Sequence, residues 1–205
     1  MVNDKVVKAD FWSWDKWTNE EDYLEFVINV CTEYQRVLKP NANLVLFFGY
    51  KHAWRFGYEL QKRGIFSFRQ PIILQKLNPV PHIKKNGFRS CHEIGIWLVN
   101  DWGEFKKPKT FNFLEQHLMK NVIGYKIGPH GEKETKHPTE KPIRVIETLI
   151  KVFTNPGDIV LDSFAGSGTT WIACFRNLRH CISMEQDKGY VRMIRERQAK
   201  EEKGV

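Results

Sequence analysis

Apolar residues recur at helical spacing at Leu24, Val27, Ile28, Cys31, Tyr34 and Leu38, until Lys39-Pro40-Asn41 ends the pattern. Thr18 followed by Glu21 reads as a capping box, so an amphipathic helix is expected after it. Leu44 to Phe48 is a short apolar run with Gly49 behind it, the pattern of a strand buried on both faces of a parallel sheet. A second helix is expected over 54–63, closed by Gly64. Strands are expected over 65–75 and 93–99, joined by a loop containing Asn78-Pro79-Val80-Pro81. From 100 to 136 the periodicity fades and no element is predicted.

Order returns at Pro142, where Ile143, Ile146, Leu149, Ile150 and Phe153 share one helical face up to the turn Asn155-Pro156-Gly157. Asp158-Ile159-Val160-Leu161-Asp162 then reads as a strand. It is followed by a Gly-rich turn, a helix to about Asn177 and a strand from His180 to Glu185. A last helix, from Lys188 to about Lys200, is capped by Asp187. Strands alternating with helices predict an α/β sheet covered on both faces.

The chain has 205 residues, 41% hydrophobic and 27% charged, which suits one domain with a sizeable core. No apolar run approaches the roughly 20 residues of a membrane span, and the first residues lack a signal peptide's apolar stretch, so a cytoplasmic protein is expected. Cys31, Cys91, Cys174 and Cys181 form neither a C-x-x-C pair nor a zinc spacing, which predicts reduced thiols and no structural metal. The net charge of +8 favours a polyanionic partner without identifying one.

The strongest chemical signal is Asp162-Ser163-Phe164-Ala165-Gly166-Ser167-Gly168-Thr169-Thr170, set between a strand and a helix. Its glycines allow a tight turn and close approach of a ligand to the main chain. No Lys follows Gly168, which argues against a P-loop, and Trp171 stands where a dinucleotide fingerprint has its third Gly. S-adenosylmethionine is the remaining common ligand of such a turn. Its ribose wants a carboxylate at the end of the next strand, where Glu185 sits. The bland alternative is a strand-to-helix turn with no ligand.

With His137-Pro138-Thr139-Glu140-Lys141-Pro142 before it, this turn resembles the cofactor motifs of the beta-class DNA amino-methyltransferases, which modify adenine N6 or cytosine N4. The resemblance implies a Rossmann-like methyltransferase sheet with helices on both faces. It implies that Thr139 and Lys141 hold the cofactor's carboxylate, that Asp162, Phe164, Gly166, Gly168, Thr169 and Thr170 line the pocket, and that Glu185 binds the ribose. For His137 and Lys141 the other reading is a solvated helix start. Trp12-Ser13-Trp14-Asp15-Lys16-Trp17, Leu38-Lys39-Pro40-Asn41, Asn78-Pro79-Val80-Pro81 and His92-Glu93 follow in the order such enzymes carry them, so the likeness covers nearly the whole chain. Leu74 departs from it, since many relatives have an aromatic residue there. The cluster of Trp12, Trp14 and Trp17 reads equally as a packed lid or as a DNA contact.

Transfer to an exocyclic amine needs groups that position the nitrogen and accept its hydrogens. The family uses an Asp-Pro-Pro-Tyr type motif for this, ahead of the Trp-rich segment. None of the nine prolines here is adjacent to another, so no catalytic residue is identified; Asp10, Asp15 and Asn78 lack the motif's frame. The expectation is therefore a chain that starts downstream of the catalytic loop: a gene fragment, an internal start, or one half of a split enzyme. It would lack a central strand beside 158–162 and depend on a complementing N-terminal segment or second subunit.

Two functions stand open. One is adenine-N6 methylation of double-stranded DNA, in a prokaryotic or phage setting of restriction and modification, with this polypeptide inactive alone. The other is a non-catalytic DNA- or cofactor-binding pseudoenzyme; RNA as substrate is a weaker third. Residues 1–205 are expected to form a single, incomplete domain. Within it, 100–136 is a target-recognition insertion whose Lys106, Lys107 and Lys109 bind DNA. Lys120, Lys126 and Lys133 lie there too, interleaved with Trp102, Phe105, Phe111, Phe113 and Tyr125. The other reading of this stretch is a solvated insertion with a small satellite core.

Overall fold

The computed structural model describes residues 17, 19–49, 51–127, 134–135 and 137–204. The first helix, α1 (Glu20–Val37), begins one position later than its expected cap. Asn19 is the N-cap and accepts a hydrogen bond from the Asp22 amide at 2.9 Å, while Thr18 lies outside the described residues. Its apolar face, Leu24, Val27, Ile28, Cys31 and Tyr34, is buried as the spacing predicts. That face packs with α2 (Ala53–Lys62) against β1 (Asn43–Phe48) and β3 (His92–Val99). Phe56, Leu60, Phe66, Ile96 and Leu98 are fully buried in this core.

Among the described residues the strands pair as two sheets. The larger has the order β1-β3-β2-β4, with β2 at Ser67–Lys76 and β4 at Val122–Tyr125. β3 is antiparallel to both of its neighbours, and β4 is parallel to β2. β1 therefore departs from the expected parallel strand: its one partner among the described residues is the antiparallel β3. β4 has no counterpart in the sequence reading, because four residues flanked by loop are too few to show a period. The smaller sheet pairs β5 (Ile159–Asp162) with β6 (His180–Ser183) in parallel. β6 ends two residues before the predicted boundary at Glu185.

The helix α3 (Ile143–Phe153) joins the two sheets. Val145 packs with Ile72, Leu74 and Tyr125 of the large sheet, whereas Ile146 and Ile150 pack with Ala173 and Cys174 of α4 (Thr169–Arg176), the helix behind β5 and β6. Leu74, where an aromatic residue was the alternative, is fully buried in this core. The last helix, α5 (Lys188–Glu202), is capped as predicted, with the Asp187 carboxylate accepting from the Gly189 and Tyr190 amides. All four cysteines are free, in line with the expected reduced thiols.

Two contacts fix the relative direction of the sheets. At the start of β1, the Asn43 amide donates to the Phe153 carbonyl at 3.3 Å, close to the chain entering β5. At the other end of β1, the Lys141 ammonium lies 5.6 Å from the centre of the Phe47 ring, on the segment that packs beneath the turn after β5. β1 and β5 thus run the same way, and the loops leaving β1, β2, β4, β5 and β6 share one end of the molecule.

Candidate cofactor pocket

Between β1 and β5 lies a cavity of about 1260 Å³, lined along its walls by Asn43 to Phe48 and by Asp158 to Asp162. Among the described residues no strand pairs with the facing edge of either β1 or β5. The mouth of this cavity, at the C-terminal ends of the strands, gathers most of the residues singled out from the sequence. Thr139, Lys141, Asp162, Phe164, Gly166, Thr169, Thr170 and Glu185 all line it.

The turn after β5 is held from below. Gly166 has φ +53°, and a Cβ there would lie 3.0 Å from the His137 ring; Gly168 has φ +77°, and a Cβ there would lie 3.0 Å from Ile194. Both conformations favour glycine. Both close approaches are to protein rather than to open pocket, and Gly168 is absent from the pocket lining. Gly168, expected in the cofactor site, is not among the residues lining the cavity, and a Cβ on it would face Ile194 of α5.

Glu185 organises the opposite side. One of its oxygens accepts the Gly166 amide at 2.8 Å and the other accepts the Asp187 amide at 2.9 Å, which ties the loops after β5 and β6 together. Carboxylate oxygens accept more than one hydrogen bond, so this geometry leaves lone pairs for ligand hydroxyls. Burial pushes the Asp162 carboxyl above its usual range, and the neighbouring Glu185 charge adds to this, against hydrogen bonds from Thr170 and the Phe164 amide. Such a perturbed carboxyl in a cleft is typical of a binding site.

An aromatic wall closes one side. Phe164 is 59% exposed, with the Phe26 ring 6.3 Å away edge-on, and Phe26 in turn leans on Trp17 at 4.9 Å. Trp17 also stacks on Tyr23 at 5.2 Å, so of the Trp-rich segment this residue packs over α1, while Trp12 and Trp14 lie outside the described residues. Tyr34 of α1 reaches across and hydrogen-bonds Ser163.

On the far wall, Lys141 is bound at 3.1 Å by Glu93, which also pairs with Lys76 at 3.2 Å. Burial opposes ionisation of Glu93, yet the two lysines outweigh it and hold its carboxyl below the usual range. Thr139 is exposed at the rim, its hydroxyl 3.5 Å from the His137 ring nitrogen Nδ1. His137 itself is buried against Tyr190, with ring centres 4.4 Å apart, and so is no solvated helix start. Glu93 and Phe26 enter the site without having been assigned a role there from the sequence, and His137, named there only as part of its motif, packs beneath Gly166. Their contacts join positions tens of residues apart, which spacing along the chain does not reveal.

Lys106, Lys107 and Lys109 are not brought to this mouth. They come after β3, at the opposite end of the sheet. There the Lys109 amide donates to the Asn41 carbonyl at 2.7 Å, and the Asn43 side chain donates to the Thr110 carbonyl at 2.7 Å. Lys106 is further engaged by Glu104. The stretch 100–136 is divided: among its described residues the first part lies at the N-terminal end of β1, whereas β4 and the pair Glu134 and Thr135, which hydrogen-bond to Glu140, lie at the pocket end. Lys133 lies outside the described residues.

The sequence matches the DNA methylase family of N6 and N4 methyltransferases over residues 3–196. The type II methyltransferase M2.LlaDCHI of Lactococcus lactis subsp. cremoris is 30% identical over 200 residues, covering 94% of this chain and 73% of the relative. The crystal structure of the M1.HpyAVI–SAM complex is 31% identical with a TM-score of 0.69, over 86% of this chain and 84% of that one. The cytosine-N4-specific PvuII DNA methyltransferase shares the fold with a TM-score of 0.72 at 19% identity, over 85% of this chain and 70% of that one.

Proposed function

Because the chain belongs to the DNA methylase family of N6 and N4 amino-methyltransferases, we propose that its pocket mouth binds S-adenosylmethionine for methylation of an exocyclic base amine in duplex DNA, with adenine N6 as the acceptor. S-adenosylmethionine is the cofactor of this family, and the M1.HpyAVI structure is a complex with it. The observation that carries the reading is the convergence of Asp162, Glu185 and Lys141 on one cavity, with the turn between β5 and α4 braced by Glu185.

The residues fit the group. Glu185 would take the ribose hydroxyls, Phe164 and Phe26 offer ring faces and edges to the adenine, and Lys141 with Thr139 would take the methionine carboxylate. When bound, the cofactor supplies an electrophilic methyl on a sulfonium sulfur. The protein then has to place the amine nitrogen in line and accept its hydrogens as the N–C bond forms and the C–S bond breaks.

We further infer that the 205 residues alone do not perform the transfer. They contain no Pro-Pro pair, and the facing edges of β1 and β5 flank a cavity of about 1260 Å³. A strand of another polypeptide segment, carrying the amine-positioning motif at its C-terminal end, would pair both edges and deliver that motif to the mouth beside Asp162. The test is a radiolabelled methyl-transfer assay on duplex DNA with nucleoside analysis of the product. The chain alone is expected to give none; the chain with a grafted upstream segment bearing Asp-Pro-Pro-Tyr is expected to give N6-methyladenine. N4-methylcytosine would overturn the choice of base, and robust transfer by the ungrafted chain would overturn the need for the segment.

A further inference from the structure

The loop between β2 and β3, residues 77–91, leaves the sheet at the same end as the pocket mouth and is one ion pair away from it. Its base is fixed: the Lys76 amide donates to the Cys91 carbonyl at 2.7 Å, and Lys76 and Lys141 meet on Glu93. Asn78 locks it to β4's exit, accepting the Ile127 amide and donating to the Ile127 carbonyl, each at 2.7 Å. Arg89 braces it from inside through the Pro79 and Val80 carbonyls. A tight turn, closed by the Lys85 amide on the His82 carbonyl with Lys85 at φ +50°, forms its tip.

On this braced frame the apolar side chains point outward. Val80 is 68% exposed, Ile83 88% and Phe88 fully exposed. An unburied Phe and an unburied Ile each forgo about 1.5–3 kcal/mol of burial, so the sequence holds them out at a cost. The same loop carries Lys84, Lys85 and Arg89 and no acidic residue, and neither lysine has an ion-pair partner among the described residues. Duplex DNA, a polyanion with an apolar interior, matches both the charge and the exposed apolar side chains.

We propose that this loop is a wedge for duplex DNA. Lys84 and Lys85 bind backbone phosphates, and Phe88 enters the base stack to fill the space vacated by the nucleotide turned toward the pocket. The proposal rests on the reading that duplex DNA is the substrate. A paired base amine cannot reach an in-line methyl donor, so its nucleotide must leave the stack. Apolar side chains inserted between base steps are a known physical means of stabilising the opened duplex.

The experiment measures binding of the whole chain to two fluorescent duplexes of one sequence, intact and with a single abasic site, across a salt series. A wedge finds the gap ready-made in the second, so the wild type is expected to bind it about tenfold tighter, within the few kcal/mol that unstacking costs. Phe88→Ala is expected to abolish that preference and Phe88→Leu to keep part of it. Lys84→Ala with Lys85→Ala is expected to weaken both duplexes alike and to reduce the salt slope by about 1.8, two phosphate contacts' worth. A Phe88→Ala variant that retains the preference overturns the wedge, and an unchanged salt slope overturns the phosphate contacts. If the Lys106, Lys107 and Lys109 triple alanine variant carries the slope instead, binding is at the other end of the sheet. Failure of the wild type to bind either duplex overturns the DNA reading itself, and the wedge with it.

Discussion

Glu185 was legible as a candidate for the ribose from its position after a strand about 20 residues beyond the first acid of a doubly wound unit, and it lines the cavity. Its second task, accepting the Gly166 and Asp187 amides, was not, because that depends on how two loops meet. The two tasks predict different variants. Glu185→Ala should weaken cofactor binding by about 1–3 kcal/mol and also lower stability, since two backbone donors lose their acceptor. Glu185→Gln keeps an acceptor and should lose affinity with less loss of fold; calorimetric titration beside thermal melting separates the two. Equal affinity of a folded Ala variant would remove Glu185 from the site. Gly168 shows the reverse case: the motif drew attention to it, yet a Cβ there meets Ile194 of α5 at 3.0 Å. Gly168→Ala should therefore cost about 1–3 kcal/mol of stability through strain and overpacking. Cofactor affinity should be nearly intact in the protein that remains folded; a large affinity loss without a change in melting would restore it to the pocket.

At the scale of elements, α1 and α3 were read well because each buries a 3.6-residue stripe, and α3 carries the clearer of the two, feeding two cores at once. Strand positions were read nearly as well, but their partners were not. A run such as Leu44 to Phe48 looks the same whether its neighbour is parallel, antiparallel or missing, since side-chain burial records faces and not edges. The tie between β2, β3 and the segment before α3 was also invisible, because Lys76, Glu93 and Lys141 are far apart in sequence. Removing its centre is informative. Glu93→Gln leaves two lysines without their shared anion and should cost about 1–3 kcal/mol at neutral pH. The sign comes from its lowered pKa in the folded chain: Glu93 stabilises above its ordinary value of 4.5, and that contribution is lost as pH falls through the folded value. Melting temperatures of the wild type and the variant should therefore differ at neutral pH and converge in acid. A gap that persists undiminished in acid would assign the effect to packing rather than charge.

For the whole molecule, the consequence of two sheets is a division of stability. The four-stranded sheet has α1 and α2 against it, whereas β5 and β6 are two four-residue strands held through α4 to α3 and, at Leu161, against the α1 core. A two-stranded unit of that size is marginal by itself, and each unpaired edge leaves backbone donors and acceptors without sheet partners. Opening free energies within one protein range from near zero to the global value, lowest where few apolar contacts cover the backbone. Hydrogen exchange on the free chain is thus expected to be fastest, among the strands, in β5, β6 and the cavity-facing amides of β1, and slowest in β3 at the centre of the large sheet. Cofactor should protect the loops after β5 and β6 through Glu185, with little effect on β1, because among the described residues nothing at the mouth pairs with the β1 edge. A grafted upstream strand should protect β1 and β5 together, since pairing both edges converts two sheets into one. That joint protection is what distinguishes strand insertion from a tail that merely restores a catalytic residue, which would bring back activity while leaving β1 as open as before. If β1 and β5 exchange as slowly as β3 in the ungrafted chain, the cavity is already closed in solution and the inserted-strand reading falls.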